Sequence, residues 1–148
     1  IAARGLPLEV PVNRHEEDFA EVVEVETGGR GVDVILDTVG GDYWDRNVAC
    51  LAGKGRLVLV GLLGGRSVEA DLGAILRKRA RVVGTVLRSR SRAEKARLTE
   101  EVRHRLLPLF EDGRLRPVVD RTFPLTGAAE AHRYMASNEN LGKIVLEV

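Results

Sequence analysis

Two periods of apolar positions alternate along the chain. Residues 32–39 (VDVILDTV) and 56–63 (RLVLVGLL) are short apolar runs closed by glycine pairs, which predicts buried strands. A third run, 82–87 (VVGTVL), carries no charge. Between them the spacing becomes helical. Glu16, Glu17 and Asp18 ahead of Phe19, Ala20, Val22 and Val23 suit a helix N-terminus, and Gly28-Gly29 stops that helix. Asp42 is placed to cap a second helix, with Trp44, Val48 and Leu51 on one face and Gly53 at its end. Residues 71–79 predict a short helix. Residues 92–111 predict a long amphipathic one, with Leu98, Val102, Leu106, Leu109 and Phe110 as its stripe and Gly113 closing it. Further on, 118–123 reads as extended, Thr126 as the cap of a helix reaching Met135, and 143–148 (KIVLEV) as a last strand. Ahead of everything, 9–13 is a short extended stretch broken by Pro11. Strands regularly separated by helices predict an α/β fold: an incomplete doubly wound, Rossmann-like parallel sheet with helices on its faces. The alternation gives way to two strands around one helix near 113–117, the expected divide.

Composition narrows the class. The chain has 148 residues, 30% charged and 44% hydrophobic, with a net charge of +1. That is the profile of one soluble domain, long enough to hold a core without staples. One cysteine, Cys50, excludes a disulfide framework and a multi-cysteine zinc site. No apolar run reaches the roughly 18 residues of a membrane span. No targeting segment is visible, so a cytoplasmic location is expected. The only methionine is Met135, so this sequence is expected to be part of a longer protein. Charge is uneven: residues 9–45 hold eleven acids against two arginines, and 77–105 hold eleven bases against three acids. The bases spread over several elements and aromatics are only 4%, which disfavours nucleic acid as a partner.

In open α/β sheets, ligands bind at the carboxyl ends of the strands. Here those ends are Thr38-Val39-Gly40-Gly41, Gly61-Leu62-Leu63-Gly64-Gly65 and Leu87-Arg88-Ser89-Arg90. Glycine there lets the backbone approach a ligand, or simply makes a turn, and both readings stand. The phosphate-binding fingerprint is missing: Gly53-Lys54-Gly55 and Gly28-Gly29-Arg30-Gly31 each follow a helix and precede a strand, the reverse of what it requires. His15, His104 and His132 lack carboxylate or cysteine partners at ligand spacing, and Cys50 reads as core. The residues alone describe half a nucleotide-binding sheet without catalytic machinery.

Asn13, the run 15–19 (HEEDF), the stretch 32–65, TVLRSR and EAHRYMASNENLGKIVLEV together resemble a known group. It is the C-terminal half of the zinc-independent quinone oxidoreductases of the medium-chain dehydrogenase/reductase superfamily. The resemblance implies a Rossmann domain binding NADPH, here residues 1–114 without its first two strands. It also implies that residues 115–148 return to pack on a GroES-like domain absent from this sequence. It implies cofactor contacts at Thr38, Val39 and Gly40 (adenosine ribose and cofactor middle), and at Gly61, Leu62 and Leu63 (nicotinamide ribose). Leu87 and Arg88 would lie by the carboxamide, and Asn140 would close over the cofactor. Arg14 stands where the family usually has a tyrosine against adenine. It could stack there, pair with a 2′-phosphate, or be a plain surface arginine. No catalytic residue and no metal ligand is assigned. The implied substrate is a small-molecule quinone or enone. An enoyl or alkenal reductase and a non-catalytic binding module are the alternatives. Strand 82–87 would be a sheet edge and the seam of a homodimer, with Thr85→Pro removing a donor to the partner.

Overall fold

The computed structural model describes residues 10–148, so Glu9 of the expected 9–13 stretch lies outside the described residues. They form two compact units, Val10–Arg92 and Ala93–Val148. The boundary between them falls at the first residue of the helix 92–105, within the basic segment.

In the first unit, helix α1 (Phe19–Glu26) is capped by Asp18, whose carboxylate accepts from the Ala20 amide at 2.8 Å. Strand β1 (Val32–Asp37), helix α2 (Trp44–Cys50), strand β2 (Leu51–Leu59), helix α3 (Leu72–Lys78) and strand β3 (Arg81–Gly84) follow. The strands form one parallel sheet in the order β1-β2-β3, as expected for β–α alternation. Asp71 caps α3 through the Gly73 amide, 2.7 Å away. The Lys78 ammonium donates to the Ala49 and Leu51 carbonyls at 2.6 and 2.5 Å, which closes the C-terminus of α2.

Three expectations need correction here. Asp42 does not cap a helix: it sits in a 3-10 turn (Gly41–Tyr43), and α2 ends at Cys50 with Leu51 already in strand. The Gly53-Lys54-Gly55 run lies inside β2, where the register jumps from Val32↔Leu51 to Val34↔Arg56. The stretch 52–55 is therefore an excursion, with Lys54 at φ 66°. Strand β3 ends at Gly84, short of the expected Leu87.

The core is thin. Leu51 and Leu57 are its fully buried large side chains, with Val48, Cys50 and Ala52 beside them. Of the two strands read as buried, β2 carries the fully buried Leu57 while β1 exposes Val34 and Leu36; β3, read as an edge, is exposed throughout. Both β1 and β3 are edge strands of a three-stranded sheet, so one flank of each lacks cover.

The second unit holds helices α4 (Arg92–Arg105) and α5 (Leu107–Glu111), strand β4 (Val119–Pro124), helix α6 (Ala128–Ala136) and strand β5 (Lys143–Glu147). The expected single helix is split at Leu106. Pro108 has no N–H to give the preceding turn, and its ring crowds the carbonyl four residues back. The stripe residues Leu98, Val102, Leu106 and Phe110 are exposed. Thr126 makes no capping bond, since a 3-10 turn (Leu125–Gly127) precedes α6. Strands β4 and β5 pair in parallel across α6, with a register irregularity between Val119 and Arg121. Phe123 and Ala131 are buried between these elements.

Candidate cofactor-binding edge of the sheet

At the carboxyl end of β1 the chain buries a charge. Asp37 is 4% exposed. Its Oδ1 accepts from the Val39 amide at 2.7 Å, and the Gly40 amide lies 3.1 Å from both carboxylate oxygens. Its backbone carbonyl accepts from the Val60 amide at 2.7 Å and the Gly61 amide at 3.2 Å. A buried carboxylate needs such donors, and here they are the backbone amides of the loop that follows β1, while the next loop bonds the Asp37 backbone carbonyl. Sequence reading missed Asp37. The available signal was an acid ending an apolar strand directly before Thr38-Val39-Gly40-Gly41.

Those two loops are bound to one another. The Leu63 amide donates to the Thr38 carbonyl at 3.2 Å and the Gly64 amide to the Val39 carbonyl at 2.7 Å. In return the Gly41 and Asp42 amides donate to the Gly65 and Gly64 carbonyls at 2.9 and 3.0 Å. The glycines make this approach feasible. A Cβ at Gly40 (φ +83°) would stand 2.7 Å from the Gly65 carbonyl oxygen, and one at Gly61 would stand 2.8 Å from that of Thr38. Their missing side chains therefore admit the neighbouring loop.

Thr38, Val39, Gly40, Gly61, Leu62 and Leu63 are thus brought together, with Thr38, Leu62 and Leu63 exposed. The third strand end joins them through the Thr85 amide, 2.9 Å from the Leu59 carbonyl. A groove of about 490 Å³ runs between these ends, lined by Leu59, Val60, Gly61, Leu62, Gly84, Thr85 and Val86. Leu87 and Arg88 follow it directly and are exposed. Arg14 is exposed in the turn ahead of α1, and among the described residues no hydrogen bond or ion pair ties it to the strand ends. Asn140 belongs to the second unit, where its side-chain amide donates to the Gly142 carbonyl at 3.0 Å.

A second cleft, about 340 Å³, lies against β1 and is lined by Val34, Ile35, Leu36, Phe19, Tyr43 and Asn47 among others. Consecutive strand residues point to opposite faces, so a cleft touching all of 34–36 runs along the strand's free edge. Asn47 is 3% exposed, and its Nδ2 has no hydrogen-bond partner among the described residues.

Residues 8–146 match the family described as zinc-binding dehydrogenase. The chain belongs to that family. It is 35% identical to the 2-haloacrylate reductase of a Burkholderia species, over 97% of this chain and 43% of that protein. A crystal structure of 2-haloacrylate reductase superposes with a TM-score of 0.75 at 31% identity, over 92% of this chain and 42% of that one. The Escherichia coli quinone oxidoreductase complexed with NADPH does so with a TM-score of 0.75 at 30% identity, over 93% and 42%. The chain therefore spans less than half the length of these relatives. The matches bear out the Rossmann-like α/β fold and the quinone oxidoreductase resemblance.

Despite the family's description, the described residues do not fit a zinc ion. No group of three or more His, Cys, Asp or Glu among them could hold one. Burial pushes the Cys50 thiol above its ordinary pKa, away from the thiolate a metal needs. No helix among the described residues is long and apolar enough to cross a membrane.

Proposed function

We propose that this chain is the cofactor-side part of an NADPH-dependent quinone oxidoreductase of the cytoplasm. The observation that carries this reading is the meeting of 38–40 and 61–63 beside an open groove at the carboxyl ends of parallel strands. A bound reduced nicotinamide supplies the reducing equivalents, and the protein supplies orientation and exclusion of water. In this reading Thr38, Val39 and Gly40 lie along the adenosine ribose and the middle of the cofactor. Gly61, Leu62 and Leu63 flank the nicotinamide ribose, with the exposed Leu62 and Leu63 as its apolar floor. Leu87 and Arg88 lie by the carboxamide, Asn140 is the polar cofactor contact that the family resemblance implies, and Arg14 meets the adenine or a 2′-phosphate. Arg14→Ala then raises the KM for NADPH with turnover little changed. Unaltered NADPH kinetics would make it a plain surface residue.

Residues 1–114 are the later part of the Rossmann domain and 115–148 a segment returning to a GroES-like domain that faces the quinone. The uncovered edge of β1 supports this, because a further strand there would cover Val34 and Leu36 and bring acceptors to Asn47 Nδ2. The identity to a 2-haloacrylate reductase favours a second reading, reduction of an activated carbon–carbon double bond. Assaying the complete protein by loss of NADPH absorbance separates the two. We expect turnover with 1,4-benzoquinone and none with 2-chloroacrylate. The reverse establishes the second reading, and turnover with neither overturns both.

A further inference from the structure

The Asp37 carboxylate and the wall of the open groove are joined through one glycine, and every residue concerned lies in the first unit. Gly40 stands at φ 83° and ψ −122°, a backbone conformation that residues with a side chain rarely adopt. Its amide lies 3.1 Å from each Asp37 carboxylate oxygen. Where a side chain would stand, Gly40 is packed against Leu62: a Cβ there would lie 2.8 Å from the Leu62 Cδ2 and 3.3 Å from its Cα. Leu62 is exposed and lines the groove of about 490 Å³ at the carboxyl ends of the strands.

Asp37 also holds that wall through its backbone. Its carbonyl accepts from the Val60 and Gly61 amides at 2.7 and 3.2 Å, and both residues line the groove. The side chain adds what a neutral residue could not. Hydrogen bonds to an ionised acceptor are roughly twice as strong as neutral ones. A carboxylate with 4% exposure, bonded to the amides of Val39 and Gly40, therefore holds the turn in a geometry it would not keep unaided. The contact runs from the carboxylate to the Gly40 amide, and from Gly40 to Leu62.

We propose that Asp37 is a positioning residue for the nicotinamide end of the cofactor: its carboxylate fixes Gly40, and Gly40 sets where Leu62 stands in the groove wall. This rests on the reading of 61–63 as the nicotinamide-ribose contact. Asp37 acts only through Gly40 and Leu62.

The test is titration calorimetry of the complete protein with two ligands, NADPH and 2′-phospho-ADP-ribose, which lacks the nicotinamide. Asp37→Asn keeps the volume and one acceptor oxygen but sets an N–H against the Gly40 amide. It should weaken NADPH binding roughly three- to tenfold, the scale of one lost hydrogen bond, and the nicotinamide-free ligand by no more than about twofold. A general loss of structure would weaken both alike. Leu62→Ala should also weaken NADPH alone, and the double variant should be no worse than the weaker-binding single variant, because both act at one contact. In the cofactor-free protein the Leu62 methyl resonances should move in Asp37→Asn. A Leu62→Ala effect beside a silent or fully additive Asp37→Asn overturns the proposal alone, as do equal weakening of both ligands and unmoved Leu62 methyls. A silent Leu62→Ala overturns the reading of 61–63, and the proposal with it. Should Asp37→Asn not fold, the unsubstituted protein still decides. NADPH must then shift the Leu62 methyls and the Gly40 amide together, and a Leu62 shift beside an unmoved Gly40 amide overturns the coupling.

Discussion

Asp37 concentrates the chemistry of the first unit in one side chain. Removing its side chain leaves the Val39 and Gly40 amides without their acceptor, in the loop that the 61–65 segment packs against. Asp37→Ala should cost about 2–4 kcal/mol, read as a lower urea midpoint with little change in slope. A loss under about 0.5 kcal/mol would mean that water replaces the carboxylate. Cys50 is the other buried group with a consequence. Its thiol is pushed above the ordinary 9.0, chiefly by burial and against the nearby Lys78. The unfolded chain therefore ionises first as pH rises. The stability linked to Cys50 is complete below pH 9.0 and is lost as the pH climbs from there through the raised folded value. Thermal unfolding between neutral pH and pH 10 should fall more steeply for the wild type than for Cys50→Ala, and parallel slopes would refute it. Little of this scale was legible in the sequence. Asp37 follows an apolar run and could have been flagged. Asp120, whose carboxylate accepts from the Leu141 amide and the Tyr134 hydroxyl, could not, because nothing in VVDRTFP announces the register irregularity between Val119 and Arg121.

At the scale of elements, apolar periodicity identified the helices and strands but not their ends. Ends are set by caps and pairing, which is why Leu51 leaves the helix for a strand and Pro108 splits the basic helix. The same distinction governs assembly. The uncharged 82–87 run predicts a homodimer seam with Thr85 donating to the partner. Instead the Thr85 amide is spent on the Leu59 carbonyl within the sheet. Amides alternate in direction along a strand, so that of Gly84, the last residue of β3, points outward. Around Gly84 there is open space where a side chain would stand, and Val82 and Val83 are exposed on the same short strand. We therefore propose an isologous β3–β3 dimer. Thr85→Pro would damage the sheet itself, whereas Gly84→Pro removes an outward donor at an edge that tolerates proline. Light scattering at micromolar concentration should give a dimer for the wild type and a monomer of unchanged circular dichroism for Gly84→Pro. A monomeric wild type, or a Gly84→Pro dimer, would defeat this arrangement.

At the scale of the molecule, the chain carries an open groove at the strand ends but no glycine-rich turn of the kind that holds a pyrophosphate. Its 148 residues contain no G-x-G-x-x-G between a strand and a helix. Helix N-termini with glycine-rich turns provide much of the attraction for the charged middle of a dinucleotide. What remains here is the apolar groove of about 490 Å³ and the glycine-packed loops beside it. Such a surface fits the nicotinamide half better than the phosphates. The chain beyond β3 brings Arg88 and Arg90 near the groove's end in sequence, yet guanidinium groups screened by water do not replace a helix-opening turn of oriented amides. The 148-residue chain alone should therefore bind NADPH weakly, with a dissociation constant of about 100 μM or above, some 5.5 kcal/mol at most. Isothermal titration calorimetry of the chain decides the matter. Low-micromolar affinity would mean that the pyrophosphate site lies within these residues after all, and would move the search for it to the arginines beyond β3.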